Sequence, residues 1–340
     1  MRTRYVVAAA FLISAGGTDY LACNALLRTM QGSYARWTGT MAAQGWTVRA
    51  GSQRGHLTPF GADLLLEDVS VEGASGALAG GLTWHAPRVV VSMDLLHPRR
   101  LRIAPQDEQE LRLAAGPTLV FGADRLTAIV PVAAGRPDHL DVVADGLVAG
   151  LQRPRDRESV RIGHAELHLR AGEGAAAELV VTSRGIGLPD DGRWPLGGTI
   201  GRLVLDVAMT PTALPGGAPA AQARAWRDGG GALRLRHLAL HWGPLDLTAQ
   251  GTLHLDQNLQ PEGSGDAKIT GASASLTALA QGGAIPDGLA QTGQLLLGLM
   301  ARPAEGGADS VDLPVKLKQS TLSIGRLPLL SVKTLDWGGA

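Results

Sequence analysis

From Leu245 to Asp256 apolar and polar residues alternate one for one. Leu245, Leu247, Ala249, Gly251, Leu253 and Leu255 stand against Asp246, Thr248, Gln250, Thr252, His254 and Asp256. A strict two-residue period puts successive side chains on opposite faces of a strand, so one face is apolar and the other wet. Leu233 and Leu235, then Leu238, Leu240 and Trp242, alternate too, with a change of phase at Arg236-His237 that predicts a bulge. Gly243-Pro244 between the two runs is turn chemistry, and the pair reads as an antiparallel hairpin. The pattern recurs along the chain: Leu64 to Val71, Val89 to Leu95, Leu101 to Ile103, Leu111 to Leu113, Leu119 to Phe121 and Leu126 to Val132. It continues through Leu140 to Leu151, Ala165 to Leu169, Leu203 to Met209, Val311 to Leu317 and Leu322 to Leu329. Turns fall about every ten residues. The expected fold is mainly β: a large, mostly antiparallel curved sheet or sandwich, preceded by an N-terminal membrane segment and a helix.

The helical part is read from a different period. Tyr20, Cys23, Leu27, Met30, Tyr34, Trp37 and Met41 follow one another at alternating spacings of three and four, one stripe of a helix over residues 19–44 that Gly45 ends. The stripe packs on the chain's own sheet, on a partner helix or on a second copy, and Tyr20, Leu27, Met30, Tyr34, Trp37 and Met41 are its partner-facing candidates. Ahead of it, Arg2 and Arg4 precede an uncharged run whose apolar core is Val6 to Ile13. That is the layout of a secretory signal, cleavable after Ala15-Gly16-Gly17, or of an uncleaved anchor continuing toward Leu27. The arginines place the N-terminus inside and the rest outside. Pro211 to Ala232 has no periodicity and reads as a loop or linker. The expected organisation is therefore a signal or anchor (1–18), the helix (19–44), an N-terminal β region (45–210), the linker (211–232) and a C-terminal β region (233–340). Short helices are expected in that last region at Ser273–Gln281 and Asp287–Ala301.

Composition narrows the chemistry. Lys+Arg 31 against Asp+Glu 31 gives no net charge, which argues against nucleic acid as a partner. Two local basic clusters, His97-Pro98-Arg99-Arg100-Leu101-Arg102 and Arg153 to Arg161, read as solvated loops or as contacts with anionic lipid headgroups. The single cysteine, Cys23, excludes an internal disulfide. No nucleophile elbow, P-loop, His-Glu-x-x-His or complete Gly-x-Gly-x-x-Gly is present. His164, Glu166 and His168 share one strand face, but the two histidines are about 13 Å apart at strand spacing, too far for one metal. His241 falls opposite Asp246 across the hairpin, as a cross-strand ion pair. No cofactor, metal or catalytic residue is expected.

Several stretches resemble a known family, the domain of unknown function numbered 2125, found in envelope proteins of Gram-negative bacteria. They are Gly45-Trp46-Thr47-Val48, Arg54-Gly55 with Pro59, Trp84-His85-Ala86-Pro87-Arg88-Val89 leading to Leu95-Leu96-His97-Pro98, and Trp242-Gly243-Pro244-Leu245 with Pro261-Glu262-Gly263. Where that family carries Gly-aromatic-Pro, this chain reads His56-Leu57-Thr58-Pro59. More loosely, Asp312-Leu313-Pro314-Val315 with Leu322 to Leu329 is similar to the strand-turn units of AsmA-type proteins. These resemblances imply a membrane-tethered body facing the periplasm, anchored in the inner membrane, with lipid handling as the associated role. The expected function is non-enzymatic binding or transfer of membrane lipid through the apolar sheet face, with Leu205, Val207, Leu240, Leu245, Leu247, Leu253 and Leu255 as lipid-facing candidates. The alternative is a structural or adaptor protein that presents the helical stripe, or a sheet edge, to other envelope proteins.

Overall fold

Helix α1 (Arg2–Ala43) runs unbroken through the expected boundary between anchor and amphipathic helix, and Gly45, at φ 82°, stops it by donating its N–H to Ala42 O at 3.1 Å. The computed structural model describes residues 2–43, 45–73, 81–113, 117–132, 138–151, 159–171, 176–189, 194–210, 218–286, 288, 291, 293–295, 302–303, 309–324, 327–335 and 337. For residues 2–19, 171, 219, 302–303, 309 and 327–330 it describes the backbone alone. Among the described residues no helix is long and apolar enough to cross a membrane. The side chains of the expected anchor, residues 1–18, lie outside them.

The chain forms two units, residues 1–75 with 80–142 and residues 76–79 with 143–340. The boundary falls inside a strand after Val142, not in the Pro211–Ala232 stretch where composition put it.

In the first unit α1 is followed by β1 (Trp46–Arg49), β2 (Ser52–Thr58), β3 (Gly61–Gly73), β4 (Leu82–Asp94), β5 (Arg100–Gln106), β6 (Gln109–Leu113), β7 (Thr118–Gly122) and β8 (Arg125–Pro131). Long β3 is the centre. Its first half pairs with β2, its second with β1, and β4 runs antiparallel along its other edge. Strand β4 pairs in turn with β5 and β6. The inward residues of β3 and β4 (Ala62, Leu64, Leu66, Val69, Ala86, Val89 and Met93) form a core with Met30 of α1, and Leu26, Leu27 and Tyr34 pack against it. Leu27 lies directly over Gly55, where a Cβ would sit 2.6 Å from its Cδ2, and Cys23 donates its thiol to Thr58 O at 3.6 Å. A helix in place of a second sheet thus closes the apolar side of this unit.

The second unit holds most of β9 (His139–Leu151), then β10 (Ser159–Ala171), β11 (Ala177–Gly187), β12 (Thr199–Thr210), α2 (Pro219–Asp228), β13 (Ala232–Trp242), β14 (Leu245–Leu255), β15 (Pro261–Thr270), α3 (Ala272–Gln281), β16 (Arg302–Pro303), β17 (Asp309–Lys318), β18 (Thr321–Ile324) and β19 (Leu327–Ser331). Strands β10 to β15 pair in sequence order, antiparallel throughout, and β17, β18 and β19 extend the row from β15. The hairpin at Gly243-Pro244 and the bulge after Leu235 are where the periodicity put them. Gly243, at φ 56°, has no room for a side chain, since a Cβ would stand 2.1 Å from Leu196 O. Part of the expected linker is helix α2 instead. Its Ala-rich sequence favours helix, and Pro219 is tolerated in a first turn whose N–H groups have no partner in the helix. Helix α3 matches the expected Ser273–Gln281, whereas most of Asp287–Ala301 lies outside the described residues.

Met30→Ala should lower the unfolding free energy by about 2–4 kcal/mol, the cost of emptying a core site, and shift the denaturant midpoint read by far-UV circular dichroism. Trp37→Ser, at an exposed position of the same stripe, should move that midpoint far less.

Candidate functional site

The seven lipid-facing candidates lie on one face of three adjacent strands. Leu205 of β12 stands opposite Leu238, and Val207 opposite Leu235. Leu240 of β13 is flanked by Leu203 and Leu247. On β14, Leu245 faces Trp242, Leu253 faces Leu233 and Gly263, and Leu255 faces Pro261. Because the ladders are in register, the same face continues through strands whose sequences do not announce it. One row runs Val181, Leu205, Leu238, Ala249, Ala267, Leu313, and the next runs Leu179, Val207, Leu235, Gly251, Gly265, Val315.

These rows have a relief. Ala249 and Ala267, with Gly251 and Gly265, are paired small residues that make a low floor across β14 and β15. Leucines and valines of β12, β13 and β17 rise on either side. The two strands cannot carry larger residues at the glycines: a Cβ on Gly265 would lie 2.2 Å from Gln250 O. None of the residues in the two rows is buried. All are half-buried, as are the seven candidates, whereas the inward residues of β3 in the other unit are fully enclosed (Leu64 is 1% exposed). An apolar sheet face in this state is a surface that a further apolar body can still cover.

The opposite face is polar and tied by ion pairs. Arg236 bridges Glu178 at 2.6 Å and Asp206 at 2.8 Å, although it sits in the bulge. His241 and Asp246 meet at 2.7 Å, as their positions in the hairpin predict. The His164–Glu166–His168 cluster acquires a partner that the sequence did not mark, Asp145 of β9. His164 Nδ1 lies 2.7 Å from Asp145 and its Nε2 lies 3.0 Å from Glu166, while His168 stands 3.7 Å from Glu166. With a carboxylate at each ring nitrogen, only the doubly protonated ring can donate to both. The Asp145 hydrogen bond and then that of Glu166 accordingly hold the His164 pKa above its ordinary value. The His164 hydrogen bond in turn holds Glu166 below the usual carboxylate range. Among the described residues no group of three His, Cys, Asp or Glu is placed to hold a metal.

The helical stripe is divided. Met30 is 3% exposed, and Leu27 and Tyr34 pack against the same core, so these three partner-facing candidates are occupied by the chain's own sheet. The physical reason is the one-sided sheet of the first unit, whose apolar face takes the helix as its cover. Tyr20 (58% exposed) and Trp37 (45%) remain at the surface, and Met41 is half-buried.

A family model described as an uncharacterized protein conserved in bacteria (DUF2125) matches residues 26–333, and the chain belongs to that family. No curated protein and no solved structure matches it. The stretches that carry the resemblance occupy structural positions. Gly45 stops α1, Trp46 lies across Gly73, Ala86 is a fully buried member of the core, and Trp242 donates its indole N–H to Gly197 O at 2.7 Å beside the β13–β14 turn.

The charged cluster has a pH signature. His164, with its raised folded pKa, contributes stability that is full below its unfolded value and fades as pH rises through the folded one. Glu166, with its lowered folded pKa, contributes stability that is full above its unfolded value and is lost as pH falls through the folded one. The cluster is therefore strongest between the two. Asp145→Asn should bring the His164 titration midpoint, followed by NMR of the ring carbon-bound protons, down toward that of an ordinary histidine. An unmoved midpoint would contradict this assignment.

Proposed function

We propose that this member of the DUF2125 family is a non-enzymatic, membrane-anchored envelope protein facing the periplasm, and that it binds or transfers lipid on the apolar face of β12 to β17. The observation that carries the reading is the floor of Ala249, Ala267, Gly251 and Gly265 between rows of half-buried leucine and valine. An acyl chain suits such a furrow, being narrow, apolar and without hydrogen-bonding demands. At about 0.8 kcal/mol per buried CH₂, ten methylenes covered by the face are worth about 8 kcal/mol before ordering costs, enough to hold a lipid whose alternative is water. Few aromatics (4%) keep the floor low. Arg2 and Arg4 ahead of the apolar run support an inside N-terminus and a body on the far side of the inner membrane. The likeness of the chain's ending to AsmA-type strand-turn units is in keeping with the same role.

The second reading, an envelope adaptor, retains one specific observation: Trp37 stays exposed on α1, its ring 6.1 Å from that of Tyr34, after Leu27, Met30 and Tyr34 have met the sheet. It predicts that Trp37→Ser releases a partner in a pull-down.

Native mass spectrometry with lipid extraction, on the full chain purified from the envelope, tests the first reading. Phospholipid should co-purify in near-stoichiometric amount. Leu247→Gln with Leu253→Gln should remove it while the protein keeps its cooperative unfolding, because neither side chain is fully buried. Lipid-free wild-type protein would contradict the reading, as would a double variant that retains its lipid.

A further inference from the structure

One end of the first unit gathers exposed apolar side chains. The turn between β2 and β3 (Pro59-Phe60) and the turn between β4 and β5 (Leu95 to Arg99) lie side by side there, since Gly61 faces Asp94 and Leu95 donates its N–H to Phe60 O at 2.8 Å. The end of β8 joins them, with Arg100 opposite Pro131 and Val132 N–H donating to Arg99 O at 2.8 Å. Helix α1 departs from the same end. Leu27 lies over Gly55 and Cys23 over Thr58, so the helix leaves the sheet beyond Cys23, and residues 2–20 project past the turns by roughly 30 Å at 1.5 Å per residue.

Six of the large apolar side chains exposed among the described residues of this unit sit at this end: Tyr20, Leu21, Leu57, Phe60, Leu96 and Val132. Leu96 is 75% exposed and Phe60 61%. Phe60 is also held at φ 63°, a conformation costly for an aromatic residue, at a turn tip where no burial of its ring offsets the strain. Beside them stand Arg99, Arg100 and Arg102, all exposed and, among the described residues, without a carboxylate partner. On β5 Arg100 and Arg102 alternate with Leu101 and Ile103, which pack against the core, so these two cations share the outer side of the strand end, and Arg99 stands in the turn just before them.

Apolar tips bordered by unpaired cations fit one kind of surface, an anionic bilayer, whose interface accepts the tips while its phosphates meet the arginines. We infer that this end of the first unit is a membrane-docking edge that seats the β body on an acidic phospholipid surface. It is separate from the lipid-holding face of the second unit and does not rest on it. The turns seat the body directly on the headgroups, beside the point where α1 departs.

A polarity-sensitive fluorophore on Leu96→Cys, in the full chain, tests this directly. Native Cys23 is buried and stays unlabelled. Leu113→Cys, at the opposite end of the same sheet where Leu113 faces Leu82, is the control. With phosphatidylglycerol-containing vesicles the label at position 96 should shift to the blue and be quenched by lipid-borne spin labels, whereas the label at 113 should do neither. Replacing Arg99, Arg100 and Arg102 with Gln should raise the lipid concentration needed for half the shift on the order of 100-fold. No shift at 96, an equal shift at 113, the same response on pure phosphatidylcholine, or indifference to the arginine replacements would overturn the inference. The readout follows position 96 itself, so attachment through α1 alone leaves the label dark and counts against it.

Discussion

A sheet with a strict two-residue alternation has one face that water does not satisfy, and most of this structure follows from how that face is covered. The backbone ladders complete themselves and need nothing further, but a row of leucines on one side does. In the first unit the cover is α1. Met30, Leu26, Leu27 and Tyr34 come down on Ala62, Leu64 and Leu66, and Gly55 gives up its side chain so that Leu27 can approach. The result is an ordinary closed core built from a helix and a few strands.

In the second unit the same chemistry is left half finished. Two rows of Leu, Val, Ala and Gly cross β11 to β17 without any of their residues becoming fully enclosed, whereas the neighbouring row through Leu240, Leu247 and Ile269 ends on a buried Val311. The reverse face is held by ion pairs such as Arg236 with Glu178 and Asp206. The glycines make this face more than a generic apolar surface. They thin the sheet where β14 meets β15 and leave a furrow with leucine banks. The close approach of the two backbones excludes side chains at these glycines, so the low floor is built into the strand pairing itself. The proposed acyl occupant supplies the missing apolar atoms.

Strands with long side chains were legible because their period is visible, and the β13–β14 hairpin with its bulge could be drawn residue by residue. Strands β11 and β15 were not. On β15, Gly263, Gly265 and Ala267 occupy the apolar face, and side chains that small do not register as an apolar row until Leu253, Gly251 and Ala249 are seen opposite them. Helix α2 was hidden for the reverse reason: it shows propensity without periodicity. A stripe on α1 is visible in the sequence, but a stripe states only that something packs on it, and the fold shows that for Leu27, Met30 and Tyr34 the something is the first unit's own sheet. Likewise His164 and Glu166 were visible as neighbours on one strand, while Asp145 reaches them from another strand 19 residues away, a distance no local pattern carries.

The claim on which the account turns is that the two faces of β14 meet different things, and its neighbouring residues allow that to be asked directly. A photoreactive amino acid placed in turn at Leu247, Thr248, Thr252 and Leu253 of the full chain, irradiated in cells, samples opposite faces of one strand with a single chemistry. The account predicts phospholipid adducts at Leu247 and Leu253 and none at Thr248 and Thr252. Adducts of equal yield at all four positions, or none at the leucines, would contradict it.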